Sequence, residues 1–317
     1  MKPLLLVLVY ITPEHRQLVA ESFDMIYAPN EGLGRDRSNG AAQIAARGAD
    51  IRVVLTNGTN GLTAQEIDAM PKLEIVCTLG VGFENVQVAH ATARGVRVCN
   101  AAGTNDTCVA DHAMALLLGA VRRIPTLNRM VRDGIWRDDI PRPPHFSGKR
   151  LGILGLGEIG RKIARRGEAF DLEIGYCNRS PKAGVSYRFF ENVQALAEWA
   201  DFLVVAAPGG KETYHIINAA VLTALGPSGV LVNIARGTLV DTQAVADALE
   251  SGRLFAAALD VYEGEPTPPA QLLGMENATL TPHIGGISPE AIQASVQRFI
   301  DNATRHFAGQ PLLTPVN

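Results

Sequence analysis

Three polar residues stand where apolar runs of this chain end: Arg236 closes "GVLVNIAR", Glu265 follows "LFAAALDVYEG", and His283 closes "ATLTPH". Short apolar runs of this kind read as buried parallel strands, and open parallel sheets bind ligands beyond the carboxyl ends of their strands. A histidine titrates near neutral pH and can exchange a proton with a carbonyl or hydroxyl oxygen. A carboxylate bonded to that imidazole favours its protonated form and fixes the ring. An arginine can hold a substrate carboxylate and polarise the adjacent carbonyl. Taken singly, these residues have plainer readings as a surface cap, a solvated acidic loop and a structural histidine. Their succession at strand ends, with Asp260 beside them, points to one crevice.

The reagent that such a crevice needs is implied upstream. "LGILGLGEIGRKIARR" places Gly155, Gly157 and Gly160 between an apolar strand and a helix, with Leu156, Glu158 and Ile159 among them. In that context the three glycines permit a tight turn, close backbone approach to a pyrophosphate, and close helix-to-strand packing. A dinucleotide beside Arg236, Glu265 and His283 implies hydride transfer to a 2-oxo acid. The next strand, "LEIGYCNRSPK", ends without the carboxylate that usually meets the adenosine ribose. Asn178, Arg179 and Ser180 offer an amide, a guanidinium and a hydroxyl instead, all able to donate to phosphate oxygens. The expectation is therefore NADP(H), with NAD(H) as the alternative and a merely solvated arginine as the plainer reading.

The positioning elements alternate along the chain. "LLLVLVYI", "FDMIYA", "DIRVVLTN", "LEIVCTLG" and "GVRVCN" are separated by helix-like stretches; after a long helical segment and the connector "IPRPPHFSGK" the alternation resumes through "NATLTPH". This is the rhythm of parallel sheets covered on both faces. The fold class is α/β, with two doubly wound parallel-sheet domains. A length of 317 residues with 47% hydrophobic and 19% charged content supports two cores of ordinary size.

Other function classes fit less well. The 29 basic and 32 acidic residues give a net charge of -3 without long like-charge blocks, which offers no footprint for nucleic acid or an anionic membrane. The N-terminal "MKPLLLVLVYITPEHRQL" imitates a signal peptide, but charged and bulky residues follow where a small-residue cleavage site is needed. No apolar run reaches the roughly 18 residues of a membrane-spanning helix. Cys77, Cys99, Cys108 and Cys177 have no paired spacing for metal or disulfide and read as reduced, buried thiols. A cytoplasmic protein without a metal is expected.

The chain resembles the D-2-hydroxyacid dehydrogenase family nearly end to end, through "LGVGFENV", "NAAGTNDTCVADHAMALLL", "LGILGLGEIGRKIA", "VNIARGTLVDTQAVADAL", "AALDVYEGEP" and "LTPHIGG". The resemblance implies a Rossmann cofactor domain over 100–286 and a flavodoxin-like substrate domain over 1–99 and 287–317, completed by a C-terminal helix from about Ser288. It implies Arg236, Glu265 and His283 as the catalytic set. Asp260 and the backbone around Val109, Ile234, Ala235, Gly285 and Gly286 would meet the nicotinamide end, with Arg236 and His283. Ala207, Pro208 and Thr213 would line the rest of the cofactor site. The substrate would meet Arg236 and His283, the amides of Val81 and Gly82 on its carboxylate, and Asn57 and Gly58 on the other wall.

"AAPGGKET" and "YCNRS" look most like the glyoxylate/hydroxypyruvate reductase branch, which implies NADPH, a small 2-oxo or 2-hydroxy acid and a homodimer. In such a dimer Trp136 would reach toward the partner's site; the plainer reading is a packing aromatic. Three departures affect details of the site: Ala207 where a histidine is frequent, Gly209-Gly210 for a bulkier pair, and Ala101-Ala102 for Thr-Pro. Two other readings stand beside this one. An NAD-dependent dehydrogenase of the phosphoglycerate type usually carries regulatory domains. A dinucleotide-sensing, corepressor-like protein would not need a complete proton-transfer set and would bring tails, whereas this sequence ends at Asn317.

Overall fold

A computed structural model of the chain describes residues 2–30, 36–140 and 142–317; Pro141 of the proline-rich connector lies outside them. Two compact units emerge, Met1–Asn105 with Gly286–Asn317, and Asp106–Gly285.

The first unit runs β1 (Leu4–Val7), α1 (Pro13–Ala20), β2 (Asp24–Tyr27), α2 (Ser38–Arg47), β3 (Val53–Asn57), α3 (Ala64–Asp68), β4 (Ile75–Leu79), α4 (Val88–Ala93) and β5 (Arg97–Cys99). The second holds α5 (Asp106–Val121), α6 (Ile124–Arg132), β6 (Arg150–Leu154), α7 (Glu158–Glu168), β7 (Glu173–Cys177), β8 (Arg188–Phe190), α8 (Val193–Trp199), β9 (Phe202–Val205), α9 (Ala219–Leu225), β10 (Val230–Asn233), α10 (Thr242–Glu250), β11 (Ala256–Leu259) and β12 (Ala278–Leu280). Helix α11 (Pro289–Phe307) belongs to the first unit, where its Val296, Phe299, Ile300 and Ala303 share a core with β1, β3 and β4.

Both sheets are parallel throughout. The first has the order β2-β1-β3-β4-β5 and the second β12-β11-β10-β9-β6-β7-β8, the flavodoxin-like and Rossmann arrangements respectively. Successive strand residues face opposite sides, so a doubly covered strand must be apolar at every position. In β9, Phe202 and Val204 enter the layer under α5 and α7, while Leu203 and Val205 enter the layer under α8, α9 and α10. Val230 and Val232 of β10 divide from Leu231 in the same way. Each fully buried aliphatic side chain of this kind contributes about 1.5–3 kcal/mol of hydrophobic transfer free energy.

The expected strands form, usually trimmed by a residue or more at each end. The edge strand β8 was not among them, because three residues with an exposed arginine at the start carry too little pattern to mark a strand. Cys77 and Cys99, isolated in sequence, are direct partners across β4 and β5 and remain free thiols; Cys108 is only half-buried.

Candidate active site

The C-terminal end of β6 forms the glycine turn, and its three glycines meet three different constraints. Gly155 has φ of +100°, and a Cβ there would lie 2.6 Å from the Ala207 amide nitrogen, so only glycine fits. Gly157 faces open space, which leaves its backbone approachable. A Cβ on Gly160 would collide with the Gly155 carbonyl, so glycine lets α7 pack against the turn that precedes it. Asn192, Asn218, Asp241 and Ser288 cap α8, α9, α10 and α11 through their side chains, but no side chain caps α7 at Gly157. Its first amides thus stay available to an anion, reinforced by the helix dipole. These residues fit a dinucleotide pyrophosphate.

Beside the turn, the Leu156 amide donates to Asn178 Oδ1 at 2.8 Å, fixing the first residue past β7. That bond uses the carbonyl of Asn178 and leaves its amide group a donor. Arg179 is highly exposed, and its Nη2 lies 2.9 Å from Oε2 of Glu212 in the single helical turn Lys211–Thr213. The Tyr176 hydroxyl accepts from the Lys182 amide at 2.9 Å, which orders the chain after Ser180. On the opposite flank of β6, Thr213 Oγ1 donates to the Pro208 carbonyl at 3.0 Å, closing the loop that starts at Ala207.

The end of β10 is shaped by Asn233, which has no solvent exposure. Its side chain accepts from the Ala235 amide at 3.0 Å and donates to the Arg236 carbonyl at 3.0 Å, so Ile234, Ala235 and Arg236 form a stapled turn. Arg236 Nη1 donates to the Ala235 carbonyl at 2.6 Å. A Cβ on Gly209 would come within 3.2 Å of Arg236 Cγ, which gives Gly209 a reason: it keeps the arginine stem unobstructed.

Beyond β11 and β12 lies the acid–base group. His283 Nδ1 is 2.6 Å from Glu265 Oε2, and the Tyr262 amide donates to Glu265 Oε1 at 2.8 Å. The carboxylate is therefore held from its own loop and holds the imidazole in turn. The hydrogen bond to the Glu265 carboxylate raises the His283 pKa above its ordinary value, outweighing burial, while the Arg236 charge works in the opposite direction.

The loop bearing His283 is anchored by Asp260, which is buried. Its Oδ1 accepts from Thr281 Oγ1 at 2.6 Å and from the Ile284 amide at 2.9 Å, and its Oδ2 accepts from the Gly285 amide at 2.8 Å. His112 of α5 contacts Asp260 Oδ1 at 3.4 Å and Thr281 Oγ1 at 3.0 Å. Burial alone would raise this carboxyl, but hydrogen bonds from His112, Thr281 and the two amides overcome it and hold the pKa at about 2. His283 itself has φ of +52°, a conformation that costs a non-glycine residue energy and that this network over-determines. Val109 lies buried on the same helix as His112.

In the first unit, Gly58 and Gly82 approach so closely that a Cβ on Gly58 would lie 2.7 Å from the Gly82 carbonyl carbon. Asn57 Oδ1 accepts from the Asn60 amide at 2.7 Å, and Asn100 Nδ2 donates to the Val81 carbonyl at 2.9 Å. Asn57, Gly58, Val81 and Gly82 thus gather at the carboxyl ends of β3 and β4.

A family model described as D-isomer specific 2-hydroxyacid dehydrogenase, NAD binding domain, matches residues 114–285. The chain belongs to the D-isomer-specific 2-hydroxyacid dehydrogenase family. A nicotinamide dinucleotide is accordingly its cofactor. This 2-hydroxyacid dehydrogenase is 45% identical over 274 residues to a hydroxyphenylpyruvate reductase of Plectranthus scutellarioides, with 86% of this chain and 88% of that one covered. It is 43% identical over 267 residues to a glyoxylate/hydroxypyruvate reductase of Arabidopsis thaliana, covering 84% and 85%. Among solved structures it is similar to an NADPH-dependent glyoxylate/hydroxypyruvate reductase of Sinorhizobium meliloti in complex with NADP and malonate. That likeness has a TM-score of 0.90 and 36% identity over 100% of this chain and 97% of the other.

Several residues that shape the dehydrogenase's site were not singled out from sequence: Asn233, His112, Thr281, Asn100 and Glu212. "VNIARG" did carry a signal for the first, since an asparagine inside an otherwise apolar strand must find hydrogen-bond partners. For His112 and Thr281 no local pattern distinguishes a buried network from an ordinary helix or strand.

Proposed function

We propose that the protein reduces a small 2-oxo acid, glyoxylate or hydroxypyruvate, to the D-2-hydroxy acid with NADPH, with His283 as proton donor. The observation that carries this reading is the 2.6 Å bond between His283 and Glu265. When bound, the reduced nicotinamide supplies the hydride. His283, held by Glu265 through Nδ1, presents Nε2 as the acid that protonates the carbonyl oxygen. Arg236 binds the carboxylate end and polarises the carbonyl. Asp260 fixes the His283–Gly285 loop. In oxidation the same imidazole, neutral, accepts the proton.

The NADPH preference rests on the Asn178-Arg179-Ser180 turn and on the cofactor named for the Sinorhizobium reductase. A homodimer belongs to the same reading. Ile124 and Val131 of α6, with Ile135 and Trp136 just beyond it, expose large apolar surface that a second copy would cover. Cytoplasmic operation is also proposed; among the described residues no helix is long and apolar enough to cross a membrane.

The likeness to hydroxyphenylpyruvate reductase favours a second reading, reduction of an arylpyruvate. Initial rates with glyoxylate, hydroxypyruvate, pyruvate and 4-hydroxyphenylpyruvate, each with NADPH and NADH, decide between them. The highest kcat/KM with glyoxylate or hydroxypyruvate and NADPH is expected, and a clear preference for the aromatic acid would replace the first reading with the second.

A further inference from the structure

We propose that Glu212 sets the strength of NADPH selection by competing with the 2′-phosphate for the Arg179 guanidinium. The inference rests on the reading of Arg179 as the phosphate-binding residue. Arg179 lies two residues past β7 and Glu212 seven residues past β9, and these two strands flank β6, whose end is the glycine turn. The 2.9 Å ion pair therefore bridges from one neighbour of the turn to the other, across the place where the adenosine end of a dinucleotide belongs.

The partners are 85% and 78% exposed, so neither is held by burial and the pair exchanges readily. A phosphate, with more charge and more acceptor oxygens than a carboxylate, displaces Glu212 from the guanidinium. The backbone that carries the carboxylate stays close, because Thr213 Oγ1 is bonded to the carbonyls of Pro208 and Gly210 and ties down its loop, so Glu212 remains a like charge near the phosphate. NADPH must therefore overcome both the existing pair and a nearby like charge, whereas NADH leaves the pair intact. Glu212 thus restrains a preference that Arg179 creates, an opposition of attractive and repulsive elements that tunes specificity.

The test measures KM for NADPH and NADH in wild type, E212Q, R179A and E212Q/R179A, with 2′,5′-ADP and 5′-ADP as competitive inhibitors. E212Q is expected to lower KM for NADPH and Ki for 2′,5′-ADP by roughly two- to fivefold, the range an exposed ion pair spans. NADH and 5′-ADP constants should stay constant, and the gain should vanish in the R179A background. If R179A weakens both cofactors equally, the phosphate reading fails and this inference with it. If R179A is selective for NADPH but E212Q is silent, the competition alone is overturned. A gain that survives R179A, or a loss of NADH binding in E212Q, also overturns it, the latter by placing Glu212 on the ribose hydroxyls.

Discussion

His283 donates its backbone N–H to the Asp260 carbonyl at 2.8 Å while its imidazole Nδ1 meets Glu265 Oε2 at 2.6 Å. One residue is thus tied to two acids by different parts of itself: Asp260 sets where the backbone lies, and Glu265 sets how the ring is turned and charged.

Replacing His283 with asparagine or alanine should lower kcat by roughly 10²–10⁴, the usual range for a positioned acid–base group. KM for the cofactor should hardly move, since the glycine turn is untouched. Steady-state kinetics of the purified variants check this, and turnover within threefold of wild type would remove His283 from the mechanism.

In the proposed mechanism reduction needs the protonated imidazole, and Glu265 raises its pKa. In wild type, kcat/KM for reduction should be full at low pH and fall as pH rises through that elevated value, while oxidation shows the opposite slope. Glu265→Gln keeps a hydrogen-bonding group but removes the charge, so the inflection should move down. pH profiles of both directions measure it; an unmoved inflection would assign the titration to another group.

Arg236→Lys keeps the charge and loses the planar fork, so the proposed carboxylate contact would become a single point. KM for the 2-oxo acid should rise and kcat fall together, by roughly tenfold or more each. The Asn233 staple holds the backbone of this turn in either variant, which makes the effect one of the side chain.

Asp260 has its carboxyl at about 2 instead of 3.8, so the native state favours the ionised form. That preference stabilises the fold above pH 4 by roughly 2 kcal/mol and is lost as pH falls toward 2. Asp260→Asn sets an amide against loop N–H groups that need acceptors, and should lower the thermal midpoint at pH 7 by roughly 4–8 °C. Melting curves at pH 7 and pH 3 should show the gap to wild type narrowing in acid.

Arg179→Ala should weaken NADPH use by roughly tenfold or more, the scale of one charge-assisted hydrogen bond, with NADH little affected and added salt narrowing the difference. Asn178→Asp combined with Arg179→Ala should invert the preference. The aspartate retains the acceptor that Asn178 presents to the Leu156 amide, so the turn survives while its charge repels phosphate and accepts from ribose hydroxyls. kcat/KM for both cofactors reads the outcome.

Alternating apolar runs determined much of the fold, because strand and helix periodicities are local and each buried strand needs apolar residues on both faces. The glycine spacing at 155, 157 and 160 was legible for the same reason, since steric demands on a turn act within a few residues. The polar types at the strand ends, Arg236, Glu265 and His283, were visible as interruptions of apolar runs. What tertiary structure decided are the bonds that orient them. Asn178 reaches Leu156 across 22 residues, and Asp260 collects amides 24 and 25 residues away. Arg179 finds Glu212 only because β7 and β9 both lie beside β6, and Cys77 faces Cys99 only because β4 and β5 pair in that register. Such contacts depend on strand order and register, which emerge when whole sheets assemble and which no short stretch of sequence encodes.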